Sequence, residues 1–124
     1  MHDGTSVPVH IVANPGSKIF GFEIRLCAGG AAIRLDSDMR PTLGGKCITK
    51  VLSSGSDFDQ IIQTSPPNTT ADTVFRVGVG SDQFSTNQGR AVTITCGPGH
   101  PCELALKIQY PGGFAFRTYP VTYA

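Results

Sequence analysis

The stretch Phe20-Gly21-Phe22-Glu23-Ile24-Arg25-Leu26-Cys27 decides the fold class, because apolar residues occupy every second position. This alternation is typical of a β-strand that buries one face. It recurs over residues 7–11, 75–79, 92–96 and 104–108, and further strands are predicted at 47–52 and 114–123. Pro120 makes the last of these an edge strand or a bulged one. Glycine or proline interrupts almost every window long enough for a helix, so the sequence predicts an all-β antiparallel sandwich or barrel.

Length and composition narrow the class of protein further. The chain has 124 residues, with 15 Gly and 9 Pro, which is room for one domain, 1–124, with one core. Charged residues make up 15% and the net charge is +1, so no basic surface for nucleic acid is expected. No apolar run approaches the roughly 18 residues of a membrane span, and no signal peptide is visible at the start.

The four cysteines indicate an oxidising compartment and two disulfides. Cys96 and Cys102 flank a five-residue loop and are expected to pair, which leaves Cys27 with Cys47. Strand parity puts Cys96 and Cys102 on the apolar faces of their strands, at the edge of the core. Cys27 shares parity with the charged residues of its strand, so its bridge is expected on the outer face or in a cleft. A secreted or cell-surface protein is the prediction.

The residues give little support to a metal site or to catalysis. Cys96, His100 and Cys102 supply three of the four ligands that a structural zinc needs, and a disulfide is the preferred interpretation. The pairs Asp36–Asp38 and Asp57–Asp59 lack the glycine and glutamate of a calcium loop and are interpreted as solvated acids, with calcium at one of them as the weaker alternative. No serine lies in a Gly-x-Ser-x-Gly motif. The chain is therefore not expected to be an enzyme, and a hydrolase using loop acids is the weakest alternative.

Two aromatic residues, Phe58 and Phe84, lie in polar, loop-like surroundings. Large apolar groups in such places either cap a core or line a binding surface. The sequence leaves both interpretations open.

The cysteine framework also carries a resemblance. Asp3-Gly4-Thr5-Ser6-Val7 leads into a first strand, a turn follows at 14–17, and strand 22–27 ends on Cys27 before a hairpin to Cys47. After a long polar stretch come Cys96, a short loop and Cys102. This order resembles the neocarzinostatin family of antibiotic apoproteins over nearly the whole chain.

The resemblance implies a seven-stranded immunoglobulin-like sandwich secreted by an actinobacterium. Members of the family hold a chromophore non-covalently in a cleft, and they shield and deliver it without binding nucleic acid themselves. Carried over by position, the cleft of this chain would draw on the Cys27–Cys47 bridge, Phe58, Phe84, Glu103 and Lys107. The implied function is a non-catalytic carrier of a small apolar ligand.

One departure from the family suggests a different function. The family's N-terminal strand, which precedes the Asp-Gly-Thr segment, is missing, and residues 1–5 are too short and polar to replace it. A sandwich without this strand exposes unpaired N–H and C=O groups, and such edges recruit another strand. The alternative is therefore a structural or adhesive module of a bacterial surface or filamentous assembly. We expect another copy of the chain, or a segment outside it, to cover the edge.

Overall fold

The computed structural model describes residues 1–29, 34–35, 41–42, 46–85 and 89–124. The described residues form β-strands and no helix. The strands are β1 (Ser6–Val12), β2 (Ile19–Ala28), β3 (Arg34–Leu35), β4 (Pro41–Thr42), β5 (Asp59–Asn68), β6 (Thr70–Arg76), β7 (Gly80–Ser85), β8 (Ala91–Cys96), β9 (Cys102–Tyr110) and β10 (Gly113–Val121). The all-β prediction is confirmed.

All strand pairs are antiparallel. The largest sheet has the order β10-β9-β2-β5, so β9 and β2 are its central strands and β10 and β5 its edges. β1 pairs with β6, β7 pairs with β8, and β3 forms a short hairpin with β4. Pro120 lies on the edge strand β10, as its missing N–H predicts.

The apolar faces of three of these sheets meet in one core. Ile11 and Phe75 come from the β1–β6 pair, Ile24 and Leu106 from the central strands of the large sheet, and Ile94 from β8. All five side chains are at most 8% exposed. The sheets thus face one another across a shared interior, which is the arrangement of a β-sandwich.

Both disulfides form as predicted, Cys27 with Cys47 and Cys96 with Cys102. Cys96 and Cys102 belong to the main core. Cys27 and Cys47 instead form a small separate cluster with Ala105. Ala105 and Cys27 alternate with the core residues of β9 and β2, so this bridge lies on the outer face of the large sheet. The parity prediction for both bridges is confirmed.

Three details of the strand prediction are wrong. The strand expected at 75–79 is β6, which ends at Arg76; residues 77–79 lie outside it, and Val79 donates its N–H to the Asp3 carboxylate instead of to a strand ladder. Ile19 is buried and Phe20 is 37% exposed, because a register shift between Ile19 and Gly21 reverses the alternation at the start of β2. Residues 47–52 do not form a strand beyond one bridge between Cys47 and Cys27. The backbone N–H of Thr49 is donated to the carboxylate of Asp82 (2.6 Å), and a side-chain acceptor of this kind competes with a strand ladder.

β5 and β7 were not among the predicted strands. Residues 65–68, with Pro66 and Pro67, are typical of a turn, yet they lie inside β5. Consecutive residues of a strand direct their N–H to opposite sides, so the free edge of β5 accommodates one proline, and the interruption of the β2–β5 pairing between Gln63 and Asn68 accommodates the other. Much of the irregular stretch at 28–45 lies outside the described residues.

Candidate functional site

An open apolar groove of about 930 Å³ runs between β1 and the inner face of β9 and β10. The pairing of β9 with β10 sets Ala115 against Ile108, Arg117 against Leu106 and Tyr119 against Leu104, so these β10 residues share the face that points toward the core. The groove is lined on one side by Val7, Val9 and Ile11, and on the other by Leu104, Leu106, Ile108, Ala115, Arg117 and Tyr119.

The groove is open because no described strand lies between its two walls. β1 has β6 as its neighbour and β10 has β9, and each is the last strand of its sheet on the groove side. Tyr119 is 54% exposed although its register position faces the interior. Residues 1–5 do not line the groove. Gly4 donates its N–H to the Val77 carbonyl beyond the end of β6, and Met1 is hydrogen-bonded to Thr122 and Ala124 just after β10, so this segment connects the two walls at one end of the gap only. The groove has the shape of a sandwich that lacks one strand.

The free edge of β1 carries unused backbone groups at alternate residues. Ala13 donates its N–H to Thr69 O, and Val77 donates its N–H to Thr5 O. These two bonds continue the residue pairing of β1 with β6 at both ends of β1. In an antiparallel pair every second residue is hydrogen-bonded to the partner strand, so the odd-numbered residues of β1 are the ones that bond to β6. The N–H and C=O groups of His10 and Val12 therefore point away from β6, as does the carbonyl of Pro8. An added strand would find a hydrogen-bonding template along this edge.

The free edge of β10 is less able to accept a strand. Pro120 has no N–H, so one ladder position is blocked. The guanidinium of Arg117 donates through Nη1 to the carbonyl of Phe116 (2.7 Å), which occupies a second position. Of the two edges that border the groove, β1 is thus the one that offers its backbone.

The charged residues that line the groove are all basic: His10, Lys18 and Arg117. The imidazole of His10 is engaged by Asp72, with Nδ1 2.5 Å from Oδ1. Among the residues that the structure describes, Arg117 has no carboxylate within ion-pair distance, and its recorded bond goes to Phe116. The apolar groove therefore has a net positive rim.

The six residues of the predicted cleft lie in two different environments. Cys27, Cys47, Glu103 and Lys107 share the outer face of the large sheet, with Cys27 opposite Glu103 and Glu23 opposite Lys107. Phe58 and Phe84 are half-buried and pack against the main core, Phe84 from β7 and Phe58 from the bend before β5. None of the six lines the groove. Several residues between Cys27 and Cys47, and residues 86–88, lie outside the described part of the chain.

The outer face near Lys107 carries a cluster of charges. Arg25 Nε lies 3.6 Å from Glu23 Oε1 and 4.0 Å from Asp59 Oδ2. Burial and the nearby Asp59 carboxylate raise the pKa of Glu23, although Arg25 and Lys107 oppose the shift. The ammonium of Lys107 lies 4.4 Å from the centre of the Phe114 ring, a cation–π contact. This face therefore combines a partly buried ionic cluster with the exposed apolar side chains of Ile61 and Phe114.

The residues considered for metals have other partners. Cys96 and Cys102 are joined in a disulfide, and Asp57 is held by Arg76, whose Nη2 lies 3.1 Å from Oδ1. Asp36 and Asp38 lie outside the described residues. Within the described part of the chain, no three His, Cys, Asp or Glu side chains are grouped as metal ligands would be.

The sequence predicted an open edge but not Arg117 and Tyr119 as groove residues. The signal was present in the Pro111–Gly112 turn, because a two-residue connection fixes the hairpin register. Counting outward from that turn puts Arg117 and Tyr119 on the same face as the apolar residues of β9. An arginine and a tyrosine on a strand face that is predicted to point inward indicate that no other strand covers this part of the face.

Comparison with family models, curated proteins and solved structures finds no match for this chain. No helix among the described residues is long and apolar enough to cross a membrane.

Proposed function

We propose that this chain is a non-catalytic module of a secreted or cell-surface protein, and that it binds an extended polypeptide strand in the groove beside β1. Such a module joins polypeptide segments in a structural or adhesive assembly. The strand would pair with the free edge of β1 and place alternate side chains over the partly exposed Ile108, Ala115 and Tyr119. This is β-strand addition, in which backbone bonds give affinity and the side-chain positions give specificity.

One observation carries the proposal: an apolar groove and an unpaired strand edge coincide. On the inner face, Ile108, Ala115 and Tyr119 remain partly exposed, and the N–H and C=O groups that a covering strand would need point into the same gap from β1. β1 is seven residues long, which corresponds to about 23 Å of extended partner. Three or four inward side chains of the partner would fit along this length.

The two disulfides are consistent with export, since such bonds persist in oxidising compartments. The immunoglobulin-like assignment and the actinobacterial source belong to the proposal and rest on the resemblance to the neocarzinostatin family. In that scheme the uncovered position corresponds to the family's N-terminal strand.

The test supplies a strand in cis. A nine-residue segment of alternating valine and threonine is fused to Met1 through a flexible glycine-serine linker. The control fusion has the same composition with the valines grouped together, so its pattern cannot match one face of a strand. If the alternating strand occupies the groove, we expect the free energy of unfolding in urea to rise by about 2 kcal/mol, the surplus of apolar burial over the cost of ordering. The grouped control is expected to give no gain.

A matched pair of variants locates the effect. Val9→Arg places a charge on the groove wall, whereas Val74→Arg places it on the opposite, 50% exposed face of the β1–β6 pair. Each fusion is compared with its own strand-free parent. The gain is expected to disappear with Val9→Arg and to persist with Val74→Arg. Equal gains in both variants, or no gain from the alternating strand, would contradict the proposal.

A carrier of a small apolar ligand is the second candidate, favoured by the half-buried positions of Phe58 and Phe84 beside the core. It is tested with the fluorescent probe 8-anilinonaphthalene-1-sulfonate. A carrier site at these residues predicts saturable binding that Phe84→Ala weakens and Val9→Arg leaves unchanged. Binding that Val9→Arg abolishes would place the probe in the groove and count against the carrier.

A further inference from the structure

We infer that Arg117 selects the strand bound in the groove by pairing with a carboxylate on it, so that the partner is an extended segment with alternating apolar residues and one inward-facing Asp or Glu. This inference rests on the proposed strand-binding function and names the chemistry of the partner. It concerns the one charged side chain that the register of β10 directs toward the interior.

The position of Arg117 is unusual for an arginine. Its register partner Leu106 is 2% exposed and belongs to the core, and Tyr119 on the same face of β10 also borders the groove. A strand laid over this face would bury part of the guanidinium. Burying an unpaired charge costs free energy, whereas a carboxylate at the right position would form a charge-assisted and often bidentate pair. The groove thus discriminates against a purely apolar strand and in favour of an acidic one.

The hydrogen bonds of Arg117 leave it available for such a pair. Its recorded bond goes through Nη1 to the neighbouring Phe116 carbonyl, and a guanidinium has five N–H donors. Lys18 strengthens the preference, because it adds a second positive charge along the groove, and no acidic residue of the described part of the chain lines it. A carboxylate therefore meets attraction along the whole approach to Arg117.

The bond from Arg117 to Phe116 also explains why a bound strand would pair with the edge of β1 and not with the edge of β10. While the guanidinium caps that carbonyl, a second strand is hindered from adding to β10. The free edge of β1 carries no comparable cap, since the exposed imidazole of His10 is engaged by Asp72. Arg117 consequently acts twice, as a guard of the β10 edge and as the anchor for a strand that pairs with β1.

The experiment uses fluorescently labelled nonapeptides of alternating valine and threonine, in which each valine in turn is replaced by Asp, Asn or Lys. Binding to the full chain is measured by fluorescence anisotropy. At one position we expect the Asp peptide to bind about tenfold more tightly than the Asn peptide, and the Lys peptide to bind most weakly. Arg117→Ala is expected to remove the difference between Asp and Asn, and Arg117→Glu to favour Lys. Lys50→Ala, which removes an exposed charge outside the groove, is the matched control and is expected to change nothing.

The outcomes separate this inference from the function on which it rests. If the Asp and Asn peptides bind equally well to the wild type at every position, strand binding stands and the role of Arg117 is overturned. If none of the peptides binds and the fused strand also fails to stabilise the chain, both are overturned. A preference for Asp that survives Arg117→Ala would assign the recognition to another basic residue and contradict the inference.

Discussion

The carboxylate of Asp82 is the most informative single side chain for testing how the hairpin β7–β8 is held to the rest of the fold. It is 1% exposed, and its Oδ2 accepts hydrogen bonds from the backbone N–H of Thr49 (2.6 Å) and from Thr49 Oγ1 (2.9 Å). These bonds tie β7 to the segment that follows Cys47. They replace the ladder that the alternation at 47–52 had predicted.

The magnitude follows from the two bonds. A hydrogen bond to a charged group contributes about 1.5–3 kcal/mol, and the exposed position of Thr49 lets water replace part of each. We therefore expect Asp82→Ala to lower the free energy of unfolding by about 3 kcal/mol. Thr49→Val removes only the hydroxyl bond and is expected to cost about 1.5 kcal/mol. In the double variant the cost should be no greater than that of Asp82→Ala alone.

The assay is urea unfolding at neutral pH with the disulfides intact, followed by circular dichroism for all four proteins. The double-mutant cycle isolates the pair, because the coupling energy is the part of the two single costs that does not add. The predicted coupling energy between the Asp82 carboxylate and the Thr49 hydroxyl is about 1.5 kcal/mol. If Asp82→Ala changes stability by less than about 0.5 kcal/mol, the cost of burying the carboxylate cancels the bonds and the reasoning is refuted.

Three further predictions concern titrating or buried polar groups. The pKa of Glu23 is raised in the folded state, so ionisation of this carboxyl opposes folding above the folded pKa and has no effect below the unfolded pKa. Glu23→Gln should therefore stabilise the protein at pH 7 and lose this advantage below about pH 4. Urea unfolding measured across this pH range checks the prediction. Burial acts to raise the pKa of Asp57, but hydrogen bonds from Arg76 lower this pKa overall. The ionised carboxylate therefore stabilises the fold above pH ~4, and this stabilisation is lost in acid. Asp57→Asn should lower the free energy of unfolding by about 1 kcal/mol at pH 7 and make it depend less on pH in the acidic range. Tyr123 donates its hydroxyl to the buried Gly78 carbonyl (2.9 Å), so Tyr123→Phe should lower thermal stability by about 1 kcal/mol in calorimetry, and an unchanged midpoint would contradict that role.

The features that depend on local periodicity were predictable from the sequence. Alternation located most of β1, β2, β8, β9 and β10, and parity along β2 put Cys27 on the outer face. Loop length paired Cys96 with Cys102. These signals are carried by residues within about ten positions of one another, so one chain segment contains all the information that they need.

The remaining features depend on which segments meet in space. The shift between Ile19 and Gly21 is a property of the pairing of β2 with β5. The same shift leaves residues 64–67 unpaired with β2, and together with the free edge of β5 this accommodates Pro66 and Pro67. The groove is the same kind of feature. An open edge follows from a strand count, but the lining of the groove depends on β1 and β9 lying opposite each other, which no local pattern predicts.

Amide hydrogen exchange along β1 tests strand binding most directly. The N–H groups of Val9 and Ile11 point to β6, whereas those of His10 and Val12 point into the gap. With the alternating strand fused to the chain, exchange at His10 and Val12 should slow at least tenfold relative to the grouped control, while Val9 and Ile11 change little. Unchanged exchange at His10 and Val12 in a chain that the strand has stabilised, or new protection confined to the outer face around Cys27, would contradict the account.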